Sequence, residues 1–326
     1  MILVTGATGH LGNVLVRQLV DQGAAVRALV LPDDDAHVLE GLPVEQVEGN
    51  VLDPDSLDRA MVGVETVYHL AAIISILPGA EALMRRVNIE GVQNVVQAAL
   101  NADVRRLVHV SSIHAFRRMP EGVVVDETTP LALNNPAGTY DYTKARGTVA
   151  VLDAVNAGLD AVIVCPTAVI GPYDYRGSLL GNALLNFAKR QLHLLVPGAY
   201  DFVDVRDIAR GLQCACREGE RGEIYILSGT YATLLEAKSL IQEIAQVHSA
   251  HVLLPWRLAM AFADLMQHLY RLTGSKPQYT PYSLRTLHDN AHFSSEKARR
   301  DLGFTTRRLE QTLSDLLRWR RALSPA

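Results

Sequence analysis

The chain has 326 residues, 48% of them hydrophobic, with 31 Lys and Arg against 35 Asp and Glu for a net charge of −4. That length buries a full core in one large or two modest domains, and the scattered basic residues exclude the electrostatic footprint of a nucleic-acid binder. The three cysteines, Cys165, Cys214 and Cys216, form no disulfide framework and read as reduced core thiols in the cytosol, and no apolar stretch of about 18 residues predicts a membrane span.

Met1 leads directly into the first apolar run, so no signal peptide is expected. That run, Met1 to Val4, is followed by Thr5-Gly6-Ala7-Thr8-Gly9-His10-Leu11-Gly12, and apolar residues then recur at Leu11, Val14, Leu15, Leu19 and Val20 until Gly23. The order is strand, tight glycine turn, helix. It aims unpaired backbone N–H groups and the positive helix end at one spot, which is a seat for a pyrophosphate.

Further apolar runs at 26–31, 44–47, 66–70, 105–111 and 161–165 alternate with helical patterns at 11–22, 55–62, 81–101 and 140–157. Such alternation predicts an α/β fold with a doubly wound parallel sheet. Residues 172–198 are richer in turn formers and suit a substrate cap. Phe202 to Gly229 returns to strand-helix-strand character, with Glu223 to Leu227 as a late strand. From Thr230 helical patterns dominate, punctuated at Pro255, Pro277 and Pro281. Two interleaved lobes are expected. A dinucleotide-binding domain takes 1–170 with a return at 201–229, and a smaller, mainly helical substrate lobe takes 171–200 and 230–326. Trp256 to Leu272 carries Arg257, Asp264, Gln267, His268 and Arg271, and reads as an amphipathic helix in the core or pocket wall rather than a membrane anchor.

Tyr140-Asp-Tyr-Thr-Lys144 places a phenol and an ammonium four residues apart, on one helix face. A positive charge beside a phenol lowers its pKa from about 10, so Lys144 is expected to make Tyr140 a usable acid/base. Ser111 and Ser112 end the apolar strand upstream. Tyr142 is a rival phenol, but its neighbour four residues on is Arg146. His114 could line the pocket or sit near the surface, and no metal-ligand cluster accompanies Cys214 and Cys216.

TGATGHLG at 5–12, His69-Leu70-Ala71-Ala72, Val110-Ser111-Ser112, Tyr140 to Lys144 and Pro166-Thr167-Ala168-Val169-Ile170-Gly171-Pro172 together resemble the signature series of the extended short-chain dehydrogenase/reductases. Within them the chain is most similar to the dihydroflavonol-4-reductase-like branch of the NAD-dependent epimerase/dehydratases. The resemblance implies that Tyr140 exchanges a proton with the substrate oxygen, that Lys144 lowers its pKa and grips the nicotinamide ribose, and that Ser112 hydrogen-bonds the substrate oxygen. Ser111 is the understudy, with packing or a local bond as its other role. The cofactor is implied to meet Gly6, Thr8, Gly9, His10, Leu11, Gly12, Leu31, Asn50, Val51, Leu70, Ala71, Ala72, Tyr140, Lys144, Pro166, Ala168 and Val169.

Two departures from the family pattern bear on the cofactor. The acid that binds a ribose 2′-hydroxyl falls near Val30 and the arginine that takes a 2′-phosphate near Leu31, and neither is present. Asp33, Asp34 and Asp35 follow; they repel a 2′-phosphate or form a solvated turn, so NAD is expected, with NADP as the alternative. Asn50 stands where an acid usually meets the adenine, and can still offer an acceptor. Asp53 suits a helix cap, Asn88 a structural role, and Asp204, Arg206 and Asp207 a local charge network.

Three functions fit. An oxidoreductase acting on a secondary alcohol or ketone is preferred. Tyr200 stands where sugar-nucleotide members place a diphosphate-binding arginine, and Leu179, Leu180, Leu184, Leu185, Phe187, Leu194 and Leu195, residues more often core than pocket, suit an apolar substrate better than a sugar diphosphate. A nucleotide-sugar epimerase or dehydratase with retained NAD is the alternative, and a non-catalytic NAD(P)-sensing protein the third. A homodimer through helix 81–101 and the tyrosine helix is implied, with Leu83, Val87, Val92, Val95, Val96 and Ala99 on offer.

Overall fold

The computed structural model describes residues 1–75, 79–134, 138–273 and 280–323. In chain order the first part runs β1 (Ile2–Thr5), α1 (His10–Asp21), β2 (Val26–Val30), β3 (Glu45–Glu48), α2 (Pro54–Met61), β4 (Thr66–His69), α3 (Glu81–Arg85), a π-helical turn (Arg86–Glu90), α4 (Gly91–Asn101), β5 (Arg106–Val110), α5 (Thr139–Asn156) and β6 (Ala161–Pro166). The second part runs β7 (Ala168–Ile170), α6 (Leu179–Phe187), β8 (His193–Leu195), β9 (Ala199–Asp204), α7 (Val205–Glu218), β10 (Ile224–Leu227), β11 (Thr230–Thr233), α8 (Leu234–Ala245), β12 (His251–Leu253), α9 (Trp256–Thr273), α10 (Pro281–His288), α11 (Glu296–Leu302) and α12 (Leu309–Leu323). Pro277 lies outside the described residues.

Seven strands form one parallel sheet in the order β10-β6-β5-β4-β1-β2-β3. Each strand sends alternate side chains to opposite faces. Val4, Val108, Val162 and Val164 pack with α1, α7 and α11 on one face, while Leu3, Leu107 and Ile163 pack with α2, α4 and α5 on the other. Burial on both faces explains why these strands read as continuous apolar runs. The strand order reverses between β1 and β4, which opens a crevice at their carboxyl ends. The glycine turn follows β1, and Leu70-Ala71-Ala72 follows β4.

The pattern at 81–101 is not one regular helix. Its middle widens into the π-turn around Asn88, whose amide donates to the Ile73 carbonyl at 2.9 Å and to Thr143 Oγ1 at 3.2 Å and accepts from the Ile73 N–H at 2.8 Å. A single-turn π-bulge accommodates an extra residue without ending the helix. Asn88 thereby ties the loop after β4 to α5, the helix that carries Tyr140.

A second layer holds β11, β9 and β7 in a small sheet and packs Ile170, Leu184, Phe187, Leu195, Ile241 and Leu313 into its own core. Phe202 to Asp204 belongs to this small sheet, so the chain rejoins the large one through α7 and β10. α9 departs from expectation: Ala259 and Ala263 are buried, whereas Leu258, Phe262 and Leu265 lie on the surface. The expected side-chain roles of Gln267, His268 and Arg271 lie outside the described side chains. No helix among the described residues is long and apolar enough to cross a membrane.

Candidate active site

The glycine turn is shaped by two close approaches. Gly6 sits at φ +70°, and a Cβ there would lie 2.7 Å from the Ala71 nitrogen. A Cβ on Gly12 would lie 2.0 Å from the Gly6 carbonyl oxygen, so the start of α1 rests directly on the end of β1. Gly9 is the N-cap of α1, has no side-chain cap, and is followed by no acid in the first turn. The orphan N–H groups and positive end of the helix therefore present an uncapped anion seat, which fits the pyrophosphate of a dinucleotide. Across the crevice, Leu70 N donates to the Thr5 carbonyl at 3.2 Å and Ala71 N to Thr5 Oγ1 at 3.2 Å. His10 turns its ring away and bonds the Pro172 carbonyl at 2.9 Å, leaving its place in the first turn of α1 as its contribution to the seat.

Leu31, at the end of β2, is 49% exposed and presents no polar group to a ribose. The oxygen of Asn50 accepts the Leu52 N–H at 2.9 Å, which orders its own loop and leaves a second lone pair. The Val51 side chain is buried against Gly91. Asp53 caps α2 through Asp55 N. The aspartates are more than a solvated turn: Asp34 accepts from Thr8 Oγ1 at 2.5 Å and from Arg176 Nη2 at 2.5 and 2.7 Å.

Ser112, Tyr140 and Lys144 are all buried where β5 meets α5. Burial pushes the Tyr140 phenol up to about 12, with the Ser112 hydroxyl pulling down and the Asp141 carboxylate pushing up. Lys144 donates to the Val110 carbonyl at 2.8 Å, and burial holds its ammonium down to about 8. In this arrangement the Lys144 ammonium is turned to the Val110 carbonyl, and desolvation dominates at the phenol. Beneath Lys144, His69 and His109 stack at 5.3 Å; burial keeps both neutral, His69 at about 3. Ser111 bonds Thr148 on α5 at 2.6 Å, a structural link between strand and helix. Tyr142 packs under Arg85, whose guanidinium lies 4.9 Å from its ring centroid.

A cleft opens next to this set; Ser112, Tyr140 and Lys144 do not line it themselves, and it meets them through their neighbours Ile113, His114 and Asp141. Its apolar wall is Ile113, Phe116, Met119, Val125 and Phe293, and its polar wall includes His114, Arg118, Asp141, Tyr200, Asp201 and Asp289. Pro166 ends β6, while Thr167 and Ala168 line the cleft floor and Val169 continues into β7. His114 is thus a cleft residue, and its ring centroid lies 5.6 Å from that of Tyr140 in an edge-on arrangement. The cap leucines are not: Leu184, Phe187 and Leu195 form the second core, and Leu179 and Leu194 face solvent. Sequence reasoning missed Arg118, which pairs with Asp141 at 3.2 Å and with Asp289, and Tyr282, whose hydroxyl donates to Asp141 at 2.7 Å. Only an acid inside the tyrosine motif hinted at a buried partner. Asp204 with Arg206 and Asp207 with Arg307 form the expected charge network.

Asp201 accepts from Thr167 Oγ1 and from Gly229 N, both at 2.6 Å, and burial raises its carboxyl to about 6. An acid whose folded pKa is raised contributes stability that is complete below its unfolded pKa of 3.8 and is lost as pH rises through about 6. Asp201→Asn keeps the accepting oxygen and removes the titration. Its Tm relative to the parent is expected to rise between pH 4 and pH 7; a constant difference across a calorimetric pH series counts against the assignment.

The family model described as NAD dependent epimerase/dehydratase family matches residues 2–228. "Sterol demethylase protein B" of Methylococcus capsulatus is 36% identical over 319 residues, covering 97% of each chain. "4-hydroxy-2-methyl-3-oxo-4-farnesyl-3,4-dihydroquinoline-1-oxide ketoreductase" of Stigmatella aurantiaca is 30% identical over 97% of this chain and 95% of its own. The crystal structure of gox2253 superimposes with a TM-score of 0.86 at 32% identity, covering 99% of this chain and 98% of the other.

Proposed function

The chain belongs to the NAD-dependent epimerase/dehydratase family and is an enzyme of the extended short-chain dehydrogenase/reductase type, and on that premise we propose that it interconverts a secondary alcohol and a ketone on a small, largely apolar substrate. The charge of the cleft carries this reading. Arg117 and Arg118 face Asp141, Asp201 and Asp289, so three carboxylates outnumber two guanidiniums, and Tyr200 adds no cation. A sugar diphosphate would bring further negative charge into that surplus, whereas an apolar ketone meets Ile113, Phe116, Met119, Val125 and Phe293. The names of two relatives, a ketoreductase and a sterol demethylase protein, support the same chemistry.

A bound nicotinamide dinucleotide supplies the hydride donor or acceptor at this site. Tyr140, protonated at neutral pH because burial raises its phenol, donates a proton to the carbonyl oxygen in the reducing direction. Ser112 hydrogen-bonds the same oxygen and keeps it in reach. Lys144, held at the Val110 carbonyl, lies one turn along the helix to grip the nicotinamide ribose. NAD rather than NADP suits the aspartates after β2, and the three free thiols suit a reducing compartment such as the cytosol.

The test is native mass spectrometry of freshly purified protein, then titration with a panel of alicyclic and aromatic ketones. An empty site that binds added NADH reversibly and turns over a ketone supports the oxidoreductase. NAD(H) that co-purifies and leaves only on denaturation favours an epimerase or dehydratase, in which the cofactor cycles in place. Cofactor binding without turnover of any ketone favours a sensing role. We also propose a homodimer through the α4 and α5 faces. Val92, Val95, Val96 and Ala99 are spent on the chain's own core, and Leu83 is exposed. A monomer mass by light scattering removes this proposal.

A further inference from the structure

The short segment between β7 and α6 crosses the mouth of the glycine turn as a strap. His10 holds it at the Pro172 carbonyl, and Asn13 Nδ2 holds it at the Tyr173 carbonyl at 3.2 Å. Tyr173 sits at φ +69°, a conformation that a bulky side chain rarely adopts and that only firm anchoring sustains. Arg176 extends from this strap to the far side of the crevice. Its Nη2 lies 2.9 Å from Thr8 Oγ1 as well as within hydrogen-bond reach of both Asp34 oxygens.

We propose that Asp34 and Arg176 are the pair that chooses between NAD and NADP, a choice made across the strap rather than at the end of β2. This rests on the reading that the chain binds a nicotinamide dinucleotide. The adenosine ribose of such a cofactor is recognised between the glycine turn and the end of the second strand. Leu31 leaves that place without a polar group, and the turn that follows, closed by Asp34 N donating to the Leu31 carbonyl at 3.0 Å, brings the Asp34 carboxylate back against Thr8. A carboxylate there accepts the ribose hydroxyls and repels a 2′-phosphate, which carries about −1.5 to −2 charges. Arg176 fixes that carboxylate through one nitrogen only; its Nε and Nη1 bond no other group among the described residues, and its side chain is 54% exposed. Once the Asp34 charge is gone, the same guanidinium is a ready partner for a phosphate.

The experiment is fluorescence titration with NADH and with NADPH, without a second substrate, on the parent, Asp34→Asn, and Asp34→Asn with Arg176→Ala. The parent is expected to bind NADH about tenfold or more tightly than NADPH. Asp34→Asn is expected to shift that ratio at least about tenfold toward NADPH, and adding Arg176→Ala to cancel the shift. A parent that prefers NADPH, an unmoved ratio in Asp34→Asn, or a shift that survives the loss of Arg176 each overturns the inference. If the parent binds neither nucleotide, the dinucleotide reading falls first and this pair with it. Thermal melting checks each variant, and Asp34→Ser replaces Asp34→Asn if the latter does not fold.

Discussion

Tyr140→Phe is expected to lower kcat by about 10²–10⁴ while leaving the melting temperature nearly unchanged. The phenol is the proposed proton donor, beside the cleft residue His114, and burial raises it above its ordinary value. Phenylalanine keeps the ring against His114 and removes only the hydroxyl and its bond with Ser112. The measurement is steady-state turnover of a ketone identified in the panel, with a thermal melt on the same preparation. Near-parental turnover removes Tyr140 from the reaction. Lost turnover with a collapsed melt reports unfolding instead, and Ser112→Ala then tests the same site from the strand side.

Gly12→Ala is expected to cost about 2–3 kcal/mol or more and to lower Tm by about 5 °C or more. The added Cβ would meet the Gly6 carbonyl oxygen at 2.0 Å and the Ala7 Cα at 2.9 Å, and both are backbone atoms between a packed strand and a packed helix. Neither can rotate away as a side chain would. Gly9→Ala provides the contrast: its Cβ meets only the Gly6 oxygen, at 3.3 Å, and points into the open anion seat. That variant is expected to melt near the parent and to bind NADH about tenfold more weakly. Equal melting temperatures for the two alanines show that the turn is not packed as described.

The residues that sequence reading found share one property: their signal is local. The glycine turn, the alternation of strand and helix through β6, and Tyr140 with Lys144 depend on neighbours within one or two turns of chain. Asp53 was recognised as a cap for the same reason. Asp201 carries no such local signal: burial raises its carboxyl against the opposing pull of the bonds from Thr167 and Gly229, an environment that only folding assembles. Among the cap residues, Leu184, Phe187 and Leu195 fill a second core, the commoner role for such apolar side chains.

The pattern of polar and apolar residues determined the doubly wound sheet, the glycine turn between β1 and α1, and the shared helix that carries Tyr140 and Lys144, since backbone geometry converts spacing directly into a shared face or a turn. The tertiary structure alone decided what surrounds that chemistry. Arg176 reaches Asp34 across 142 positions, and Tyr282 reaches Asp141 across 141. No local period encodes such pairs; they exist because the strap and α10 are folded against the turn after β2 and against α5, where a charge pair holds one and a hydrogen bond to a buried carboxylate holds the other.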